Sequence, residues 1–441
     1  MNTKKRLYIE TYGCQMNFSD SEIVASIMSD NGFEITKDIF FADIIFINTC
    51  SVRDKAEQRV KNRLQEFKFL KKKKKNLIIG VIGCMAEKLN TKFFEYDYIN
   101  LVVGPDSYRD LPNLIKKAEN RQKVINITLS KDETYSDIIP FRFNTNKVSA
   151  FISIMRGCEN FCTYCVVPYT RGRERSRDAE SIVNEAKNLF DKGYKEITLL
   201  GQNVNSYRWI LKKKDVNFAK LIEMVALISP SLRVRFTTSN PKDISDELLY
   251  NIAIYDNICK SIHLPVQSGS NNVLKKMHRG YTREWYIERI AAINRIIPDC
   301  TISTDIITGF CGETEEDHKK TLALMNKVGY FYAYMFKYSE RQGTIAYKLF
   351  KNDVPEQVKK RRLQEIINLQ QKLSFNSNLK DINKVYKVLV DSISKRSDKY
   401  LSGRNSQNKV IVFPKKNYKI GDYVDVKVAK CTSATLIGEI V

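Results

Sequence analysis

The chain has 441 residues, of which 43% are hydrophobic and 28% charged, and its formal net charge is +23. This balance is typical of globular proteins and excludes disordered, fibrous and membrane-spanning classes, since no apolar run approaches the length of a membrane span. Because the first residues lack the apolar core of a signal peptide, we expect a cytoplasmic protein whose ten cysteines are ligands or free thiols. The positive charge favours a polyanionic partner such as RNA, although a lysine-rich codon bias would produce the same excess.

Three apolar runs in the first 120 residues each stop on a cysteine. The runs occupy residues 6–14, 42–50 and 76–84, and the helical stretches between them occupy 19–30 and 54–69. Strands that alternate with helices predict an α/β fold with a doubly wound parallel sheet, here a domain over 1–120. Carboxyl ends of parallel strands meet at one edge, so Cys14, Cys50 and Cys84 should converge there. The alternative is that they are ordinary buried thiols.

Residues 121–143 are polar and irregular and are predicted to be a linker. Beyond it, Cys158, Cys162 and Cys165 follow an apolar run with the spacing C-x3-C-x2-C. Three thiolates can hold three irons of a 4Fe–4S cubane and leave the fourth iron open to a substrate. A zinc knuckle is one alternative, but zinc needs a fourth ligand, and the three histidines lie far downstream without paired spacing. Unrelated core thiols are the other alternative.

Four arginines follow this triplet directly: Arg171, Arg173, Arg175 and Arg177. Planar guanidinium groups can clamp phosphates and stack on bases, so the series predicts contact with an RNA loop. The alternative is a set of internal salt bridges with Glu174 and Asp178.

The central region, 144–376, contains six strand-like runs separated by helical segments of βαβ length. They occupy residues 150–155, 196–200, 233–237, 261–266, 301–307 and 330–338. Six βα units predict a partial (β/α)6 barrel whose active face lies at the carboxyl ends of the strands. Polar residues follow these ends and could hydrogen-bond a small molecule, although each is equally explained as turn chemistry. They are residues 201–203 with Asn205, 238–240, 267–269, 308–309 and 339–341.

The last region, 377–441, follows a long basic helix over 356–379 and alternates short strand-like runs with glycine turns. Residues 384–441 hold twelve Lys and Arg against five Asp and Glu. A compact basic β-barrel is predicted, with an RNA grip as one role and a solvated capping domain as the other.

The cysteine triplet at the first barrel strand resembles that of the radical S-adenosylmethionine superfamily, and the whole chain is similar to its methylthiotransferase family. The motifs that carry the resemblance are YGCQMN (12–17), NTCSVR (48–53), GCMAE (83–87), MRGCENFCTYC (155–165), RGRERSR (171–177) and LGQNVN (200–205). The resemblance implies two 4Fe–4S clusters. Cys158, Cys162 and Cys165 would hold the catalytic, radical-generating cluster, and Cys14, Cys50 and Cys84 an auxiliary one. It also implies a C-terminal TRAM domain that binds RNA.

Candidates for binding S-adenosylmethionine are an aromatic residue of the triplet motif and polar residues of the strand ends. They are Tyr164, Gly201, Gln202, Asn203, Thr238, Ser239 and Gln267. Three positions depart from the family pattern, namely Asn240 where histidine is usual, and Cys311 and Gln342 where proline is usual. These departures concern fine substrate contacts and not the cluster ligands.

The motifs look most like the tRNA branch, which attaches a methylthio group to carbon 2 of N6-isopentenyladenosine at position 37, beside the anticodon. The expected partners are therefore a tRNA anticodon loop carrying isopentenyl-adenosine and an electron donor of the flavodoxin or ferredoxin type, with the protein a monomer and no membrane contact. Alternatives are the same chemistry on threonylcarbamoyl-adenosine tRNA or on an aspartate of ribosomal protein S12, and, as a non-enzyme, a zinc-stabilised RNA-binding protein.

Overall fold

The computed structural model describes residues 4–51, 54–143, 146–211 and 214–441. Val52 and Arg53 of the second motif, and the predicted domain boundary at residue 144, lie outside the described residues. The chain forms two compact units. Unit 1 comprises Met1–Asn144, Met155–Phe161 and Cys165–Ser181, and unit 2 comprises Thr145–Ile154, Cys162–Tyr164 and Ile182–Val441.

The first part of unit 1 alternates strands and helices. These are β1 (Arg6–Thr11), α1 (Gln15–Asp30), β2 (Glu34–Ile35), β3 (Ile44–Thr49), α2 (Asp54–Lys73), β4 (Ile78–Gly83), α3 (Cys84–Leu89), β5 (Leu101–Val103), α4 (Leu111–Glu119) and β6 (Val124–Asn126). The six strands form one parallel sheet in the order β2-β1-β3-β4-β5-β6. Apolar residues of α1 and α4 pack on one face, and those of α2 and α3 on the other. The predicted doubly wound sheet is confirmed, and its strand order reverses between β1 and β3.

Part of the predicted linker, 121–143, is instead integrated into unit 1. The strand β6 pairs with β5 at the sheet edge, and Tyr135, which is 2% exposed, belongs to the same core. The hydroxyl of Tyr135 donates to the carbonyl of Pro105 at 3.0 Å, and the backbone N–H of Phe141 donates to the carbonyl of Glu22 at 3.0 Å. These pairings are long-range, so the polar composition of the segment carried no sign of them.

The middle of the chain is built mainly of βα units. Its elements are β7 (Ser149–Ser153), β8 (Met155–Arg156), α5 (Val167–Arg171), β9 (Arg175–Ser176), α6 (Ala179–Asp191), β10 (Glu196–Leu200), β11 (Arg208–Leu211), β12 (Lys214–Asn217), α7 (Phe218–Ala226), β13 (Arg233–Thr237), α8 (Asp246–Ile254), β14 (Ser261–His263), α9 (Asn271–Lys276), α10 (Arg283–Ile296), β15 (Thr301–Thr308), α11 (Glu315–Val328), β16 (Tyr332–Lys337), α12 (Ile345–Leu349) and α13 (Glu356–Leu379).

Six of these strands, all in unit 2, form the barrel. The parallel sheets β7-β10-β13 and β14-β15-β16 are joined by a parallel bridge between Val234 and Ile258. The carboxyl ends of all six therefore share one rim, and the predicted partial (β/α)6 barrel is confirmed.

The C-terminal region of unit 2 is a closed barrel in the order β17-β18-β19-β21-β20, as predicted. Its strands are β17 (Val385–Ile393), β18 (Tyr400–Arg404), β19 (Val410–Pro414), β20 (Tyr423–Cys431) and β21 (Leu436–Ile440). The turn between β18 and β19 is anchored, because Arg235 donates to the carbonyl of Asn405 at 2.7 Å and Lys409 donates to Asp381 at 2.6 Å. Lys409, at 5% exposure, is thus a structural cation rather than a free RNA contact. Across the described ranges, no helix combines the length and the apolar character needed to cross a membrane.

Candidate functional site

The three N-terminal cysteines lie at the carboxyl ends of neighbouring strands of unit 1. Cys14 follows β1, Cys50 follows β3, and Cys84 begins α3 directly after β4. Gly13 has φ +130°, and a Cβ there would lie 2.4 Å from Cβ of Cys50, so only glycine lets these two segments approach. The sheet order β1-β3-β4 thus brings the three predicted ligands to one edge.

Two asparagines tie these strand ends together. The side chain of Asn17 donates to Asn48 Oδ1 at 3.1 Å and to the carbonyl of Thr49 at 3.0 Å, and Asn48 donates back to the carbonyl of Asn17 at 2.9 Å. Sγ of Cys14 lies 3.2 Å from Asn17 Oδ1. Both asparagines are fully buried, so they fix the loops that carry Cys14 and Cys50. Both residues belong to the motifs that carry the family resemblance, but neither role was predicted.

A buried arginine dominates the electrostatics of this edge. Nε of Arg171 donates to Sγ of Cys84 at 3.2 Å, and its Nη2 donates to Oδ2 of Asp20 at 2.7 Å. A hydrogen bond with Cys50 and the charge of Arg171 lower the pKa of Cys14 to about 6, whereas burial raises the pKa of Cys84. The site therefore favours a thiolate at Cys14, which is the form that binds iron.

The placement of Arg171 corrects the prediction that the arginine series contacts RNA. Arg171, Arg175 and Arg177 are 3%, 6% and 6% exposed. Arg175 donates to both oxygens of Asp106, at 2.8 and 3.1 Å, and Arg177 donates to Oγ of Ser181 at 3.0 Å. Buried cations with these partners are not available to phosphates.

The fourth member of the series, Arg173, is exposed, and its contact with RNA stays a prediction. The alternative prediction was a set of internal salt bridges, and Arg171 and Arg175 do form such bridges. However, the carboxylates that pair with Arg171 and Arg175 are Asp20 and Asp106 and not the sequence neighbours.

The donor set at the N-terminal edge fits a 4Fe–4S cluster. In the part of the chain that the structure describes, no three His, Cys, Asp or Glu side chains are grouped closely enough to hold one metal ion. A cubane differs from a single ion because each thiolate binds a different iron, so its cysteines stand further apart. Three thiols at neighbouring strand ends, with a buried guanidinium at one of them, supply the ligand type and the positive charge that such a cluster needs.

The central triplet is divided between the two units, with Cys158 and Cys165 in unit 1 and Cys162 in unit 2. In unit 1 the backbone N–H of Cys158 donates to the carbonyl of Gly172 at 3.2 Å, and Asn160 donates to Sγ of Cys158 at 3.4 Å. Cys165 begins the last segment of unit 1 and is half-buried. In unit 2 Cys162 is buried.

Cys162 has a buried arginine of its own, Arg279. Nη1 of Arg279 donates to Sγ of Cys162 at 3.1 Å and lies 3.4 Å from the hydroxyl of Tyr164. Its other bonds go to the carbonyl of Pro265 and the hydroxyl of Tyr281. The candidate Tyr164 also meets Phe310 edge to face, so its ring is fixed. No pattern in the sequence indicated Arg279.

Several predicted ligand contacts lie at the barrel rim of unit 2 with unsatisfied polar groups. Among the described residues, buried side-chain atoms of Gln202, Asn205, Ser239 and Gln267 have no hydrogen-bond partner. Such atoms are costly unless a ligand or water meets them. Thr238 and Gln267 have φ +72° and +71°, a strained conformation that clusters at ligand sites. The rim thus has the unpaired donors and acceptors that a polar small molecule needs.

Other rim residues have structural partners. Asn203, 1% exposed, donates to Asp243 at 2.6 Å and accepts from the backbone N–H of Asn240 at 3.0 Å, so it links two strand ends and its side chain is already occupied. Gly201 is buried directly after β10. Of the departures from the family pattern, Asn240 accepts from the backbone N–H of Lys242, Cys311 is buried in an apolar cluster, and Gln342 is exposed.

Three family models match successive parts of the chain. They are an uncharacterized protein family, UPF0004, over residues 6–104, the radical SAM superfamily over 152–325, and the TRAM domain over 380–441.

Solved structures match at the level of the fold. The radical S-adenosylmethionine methyltransferase TsrM from Kitasatospora setae gives a TM-score of 0.57 at 13% identity, covering 76% of this chain and 73% of that one. The cobalamin-dependent radical enzyme OxsB gives 0.56 at 12% identity, covering 84% and 61%.

Curated relatives match along almost the full length. Proteins named tRNA-2-methylthio-N(6)-dimethylallyladenosine synthase from Parabacteroides distasonis and Amoebophilus asiaticus are each 58% identical over 99% of this chain, covering 95% and 92% of their own lengths. The protein of that name from Azobacteroides pseudotrichonymphae is 54% identical, covering 99% and 97%. At this identity and coverage, the chain belongs to the tRNA-2-methylthio-N(6)-dimethylallyladenosine synthase family of radical S-adenosylmethionine enzymes.

Proposed function

We propose that this protein attaches a methylthio group to carbon 2 of N6-isopentenyladenosine at position 37 of tRNA. The observation that carries the proposal is the convergence of Cys14, Cys50 and Cys84 on one edge of unit 1, in a chain whose other unit holds the radical barrel. One cluster suffices to make a radical, so a second three-cysteine centre supports a reaction that also inserts sulfur. The substrate is the one in the names of the relatives.

Two groups of residues would hold the clusters. Bound clusters would supply an electron that cleaves S-adenosylmethionine to a 5′-deoxyadenosyl radical, at Cys158, Cys162 and Cys165, and a docking iron for sulfur, at Cys14, Cys50 and Cys84. The buried arginines Arg171 and Arg279 hold one ligand sulfur in each group. The net change replaces the hydrogen on carbon 2 by a methylthio group.

The barrel rim would bind S-adenosylmethionine. Its amino and carboxylate groups, ribose hydroxyls and adenine edge offer both donors and acceptors. Oε1 of Gln202, Oε1 of Gln267 and the hydroxyl of Ser239, all buried without a partner among the described residues, would receive or donate those bonds. A ring at Tyr164, held between Arg279 and Phe310, would wall the site.

The closed C-terminal barrel would hold the RNA backbone. Its exposed cations are Lys387, Lys395, Arg396, Lys399, Lys415, Lys416, Lys419, Lys427 and Lys430. A surface of this kind binds phosphates without reading the base sequence. The adenosine that is modified would be flipped out of the RNA loop and would enter the (β/α)6 barrel instead. The protein would work in the cytoplasm as a monomer with a flavodoxin-like or ferredoxin-like electron donor.

The experiment is mass spectrometry of nucleosides from tRNA incubated anaerobically with reconstituted protein, a reductant and S-adenosylmethionine. Isopentenylated and threonylcarbamoylated tRNAs are assayed side by side, with ribosomal protein S12 as a third substrate. A methylthio mass gain on isopentenyl-adenosine alone supports the proposal. A gain on either other substrate, or zinc in place of iron with acid-labile sulfide, would overturn it.

Cysteine variants separate the two centres. Cys162→Ala should abolish cleavage of S-adenosylmethionine, and Cys50→Ala should leave cleavage to 5′-deoxyadenosine but give no thiolated product. Cys431→Ala, in the C-terminal barrel, is the matched control and should change neither reaction. Product from the Cys50 variant would show that the N-terminal centre does not handle sulfur.

A further inference from the structure

Arg171 follows the central triplet in the sequence, yet its side chain reaches the N-terminal site. It ends α5, the short helix that follows Cys165. Two of its three nitrogens are used, by Sγ of Cys84 at 3.2 Å and by Oδ2 of Asp20 at 2.7 Å. The third nitrogen, Nη1, is buried and has no hydrogen-bond partner among the residues that the structure describes. A buried, charged donor without an acceptor is expensive, so an anion is expected beside it.

The surroundings of Arg171 carry an excess positive charge. Arg156 donates to Oδ1 of Asp20 at 2.8 Å and lies 3.5 Å from Oδ1 of Asp106, which also pairs with Arg175. The set holds three arginines and two aspartates, and all five side chains are buried. Burial and the charge of Asp106 raise the pKa of the neighbouring Glu87 to about 8, so that carboxyl stays protonated at neutral pH and does not cancel the excess.

This excess matches the charge of the proposed cluster. A cubane with a core charge of 2+ and three thiolate ligands carries one net negative charge, and a sulfur anion on its open iron would add another. A guanidinium that touches a ligand sulfur stabilises such charge, since cluster potentials follow net charge and hydrogen bonds to sulfur.

We propose that Arg171 is a positioning residue of the N-terminal centre: it holds Cys84 and would balance the negative charge of an auxiliary cluster, and its Nη1 would donate to a sulfur anion bound there. The inference rests on the proposed function, because it requires the second cluster. It adds a permanent counter-charge, supplied by the chain segment that also carries Cys165.

A structural tether is the competing explanation, in which Arg171 only fastens α5 to Asp20. The two explanations predict different directions for the shift in the midpoint potential of the cluster. A tether is lost equally in Arg171→Met and Asp20→Asn, so both variants should behave alike. A counter-charge responds in opposite directions, because the first variant removes a positive charge and the second a negative one.

The test uses the full-length protein with Cys158, Cys162 and Cys165 all replaced by alanine, so that only the N-terminal centre can take up a cluster. Iron and sulfide are counted after reconstitution, and the midpoint potential is measured by EPR-monitored titration. Arg171→Met should lower the ratio of reduced to oxidised cluster at least tenfold at a fixed potential, a shift of about 59 mV for one electron. Asp20→Asn should raise the ratio, and Arg171→Lys should stay close to the parent.

Arg175→Met is the matched control. Arg175 is a buried arginine of the same segment, but its carboxylate partner is Asp106 and it donates to no sulfur in the described structure. Each aspartate keeps Arg156 in either variant, so the structural cost is similar. The control should change the ratio less than threefold.

The possible outcomes distinguish the proposed role of Arg171 from the existence of the auxiliary cluster. No iron in the parent would reject the auxiliary cluster itself. A loaded parent with an unchanged potential in Arg171→Met, or equal shifts in Arg171→Met and Arg175→Met, would overturn the role of Arg171. If Arg171→Met holds no cluster, Asp20→Asn decides: a higher potential supports the counter-charge, and an unchanged or lower one refutes it.

Discussion

Cys84 in unit 1 and Cys162 in unit 2 each accept a hydrogen bond from a buried arginine, but the two arginines are balanced differently. Arg171 shares Asp20 with Arg156, so its charge is part of an ion network. Arg279 bonds to two hydroxyls and a carbonyl besides Sγ of Cys162, and no carboxylate pairs with it in the described chain. Asp20 therefore supplies part of the counter-charge of Arg171, whereas the counter-charge of Arg279 would come from Cys162 and the proposed cluster.

The largest effect should come from breaking the network of unit 1. Arg156→Met leaves Asp20 and Asp106 with one arginine each and removes a cation that lies 4.9 Å from the ring centroid of Tyr135. Loss of one member of a buried ion pair costs about 3–5 kcal/mol. Hydrogen exchange of the backbone amides of β1 and β3 should report a fall of that size in the free energy of opening. Arg208→Met removes an exposed pair with Asp215 and should leave exchange unchanged, and equal effects of the two variants would refute the network's importance.

The second effect tests the dependence of Arg279 on the cluster. Arg279→Met removes the donor to Cys162 and the charge that balances the thiolates, and loss of such outer contacts weakens metal sites by about 10–100-fold. In protein with Cys14, Cys50 and Cys84 replaced by alanine, a chelator should therefore strip iron about 10–100-fold faster from the variant.

The control for this test is Arg289→Met. Arg289 lies on α10 and pairs with Asp246, and it donates to no cysteine sulfur in the described structure. Iron release from the control should match the parent. A normal release rate in Arg279→Met would show that Arg279 does not support Cys162.

The sequence predicted some parts of the N-terminal site and missed others. The strands before Cys14, Cys50 and Cys84 were predicted to within a few residues, because apolar runs of strand length mark buried parallel strands. The strands β5 and β6 were missed, since three residues are too few for a pattern and each is formed by pairing with its neighbour. The positions of Cys14, Cys50 and Cys84 at strand ends predicted that they meet, because the carboxyl ends of neighbouring parallel strands share an edge.

The roles of Arg171 and Arg279 were not predicted, because each role depends on a partner that is distant in the sequence. Arg171 lies 151 residues from Asp20, and Arg279 lies 117 residues from Cys162. A partner that far away cannot be recognised from the sequence. A series of basic residues such as 171–177 is then most readily interpreted as a phosphate contact. Only the fold distinguishes a buried cation from an exposed one, as Arg171 and Arg173 show.

A smaller effect concerns how the stability of unit 1 depends on pH. Burial, then the charge of Asp106, raise the pKa of Glu87 from 4.5 to about 8. The folded state thus holds the proton more tightly than the unfolded state, so this contribution to stability is complete below pH 4.5 and is lost as the pH rises through about 8. Glu87→Gln should flatten the decline, by about 1 kcal/mol after allowance for partial exposure, in hydrogen exchange of β4 between about pH 5 and pH 8. An unchanged decline would show that Glu87 ionises normally.

The smallest effect concerns Arg173, which is not part of the buried ion network. Arg173 is exposed between buried Arg171 and Arg175, so it can meet a tRNA phosphate without cost to the fold. Arg173→Ala should weaken tRNA binding a few-fold and reduce the slope of log affinity against log salt by about 0.7, the value for one contact to a single-stranded loop. The matched comparison is Arg396→Ala, which removes an exposed arginine of the C-terminal barrel and should lower the slope if that barrel also binds phosphates. A slope unchanged by Arg173→Ala but lowered by Arg396→Ala would assign RNA binding to unit 2 and leave the whole arginine series as scaffold for the cysteine centres.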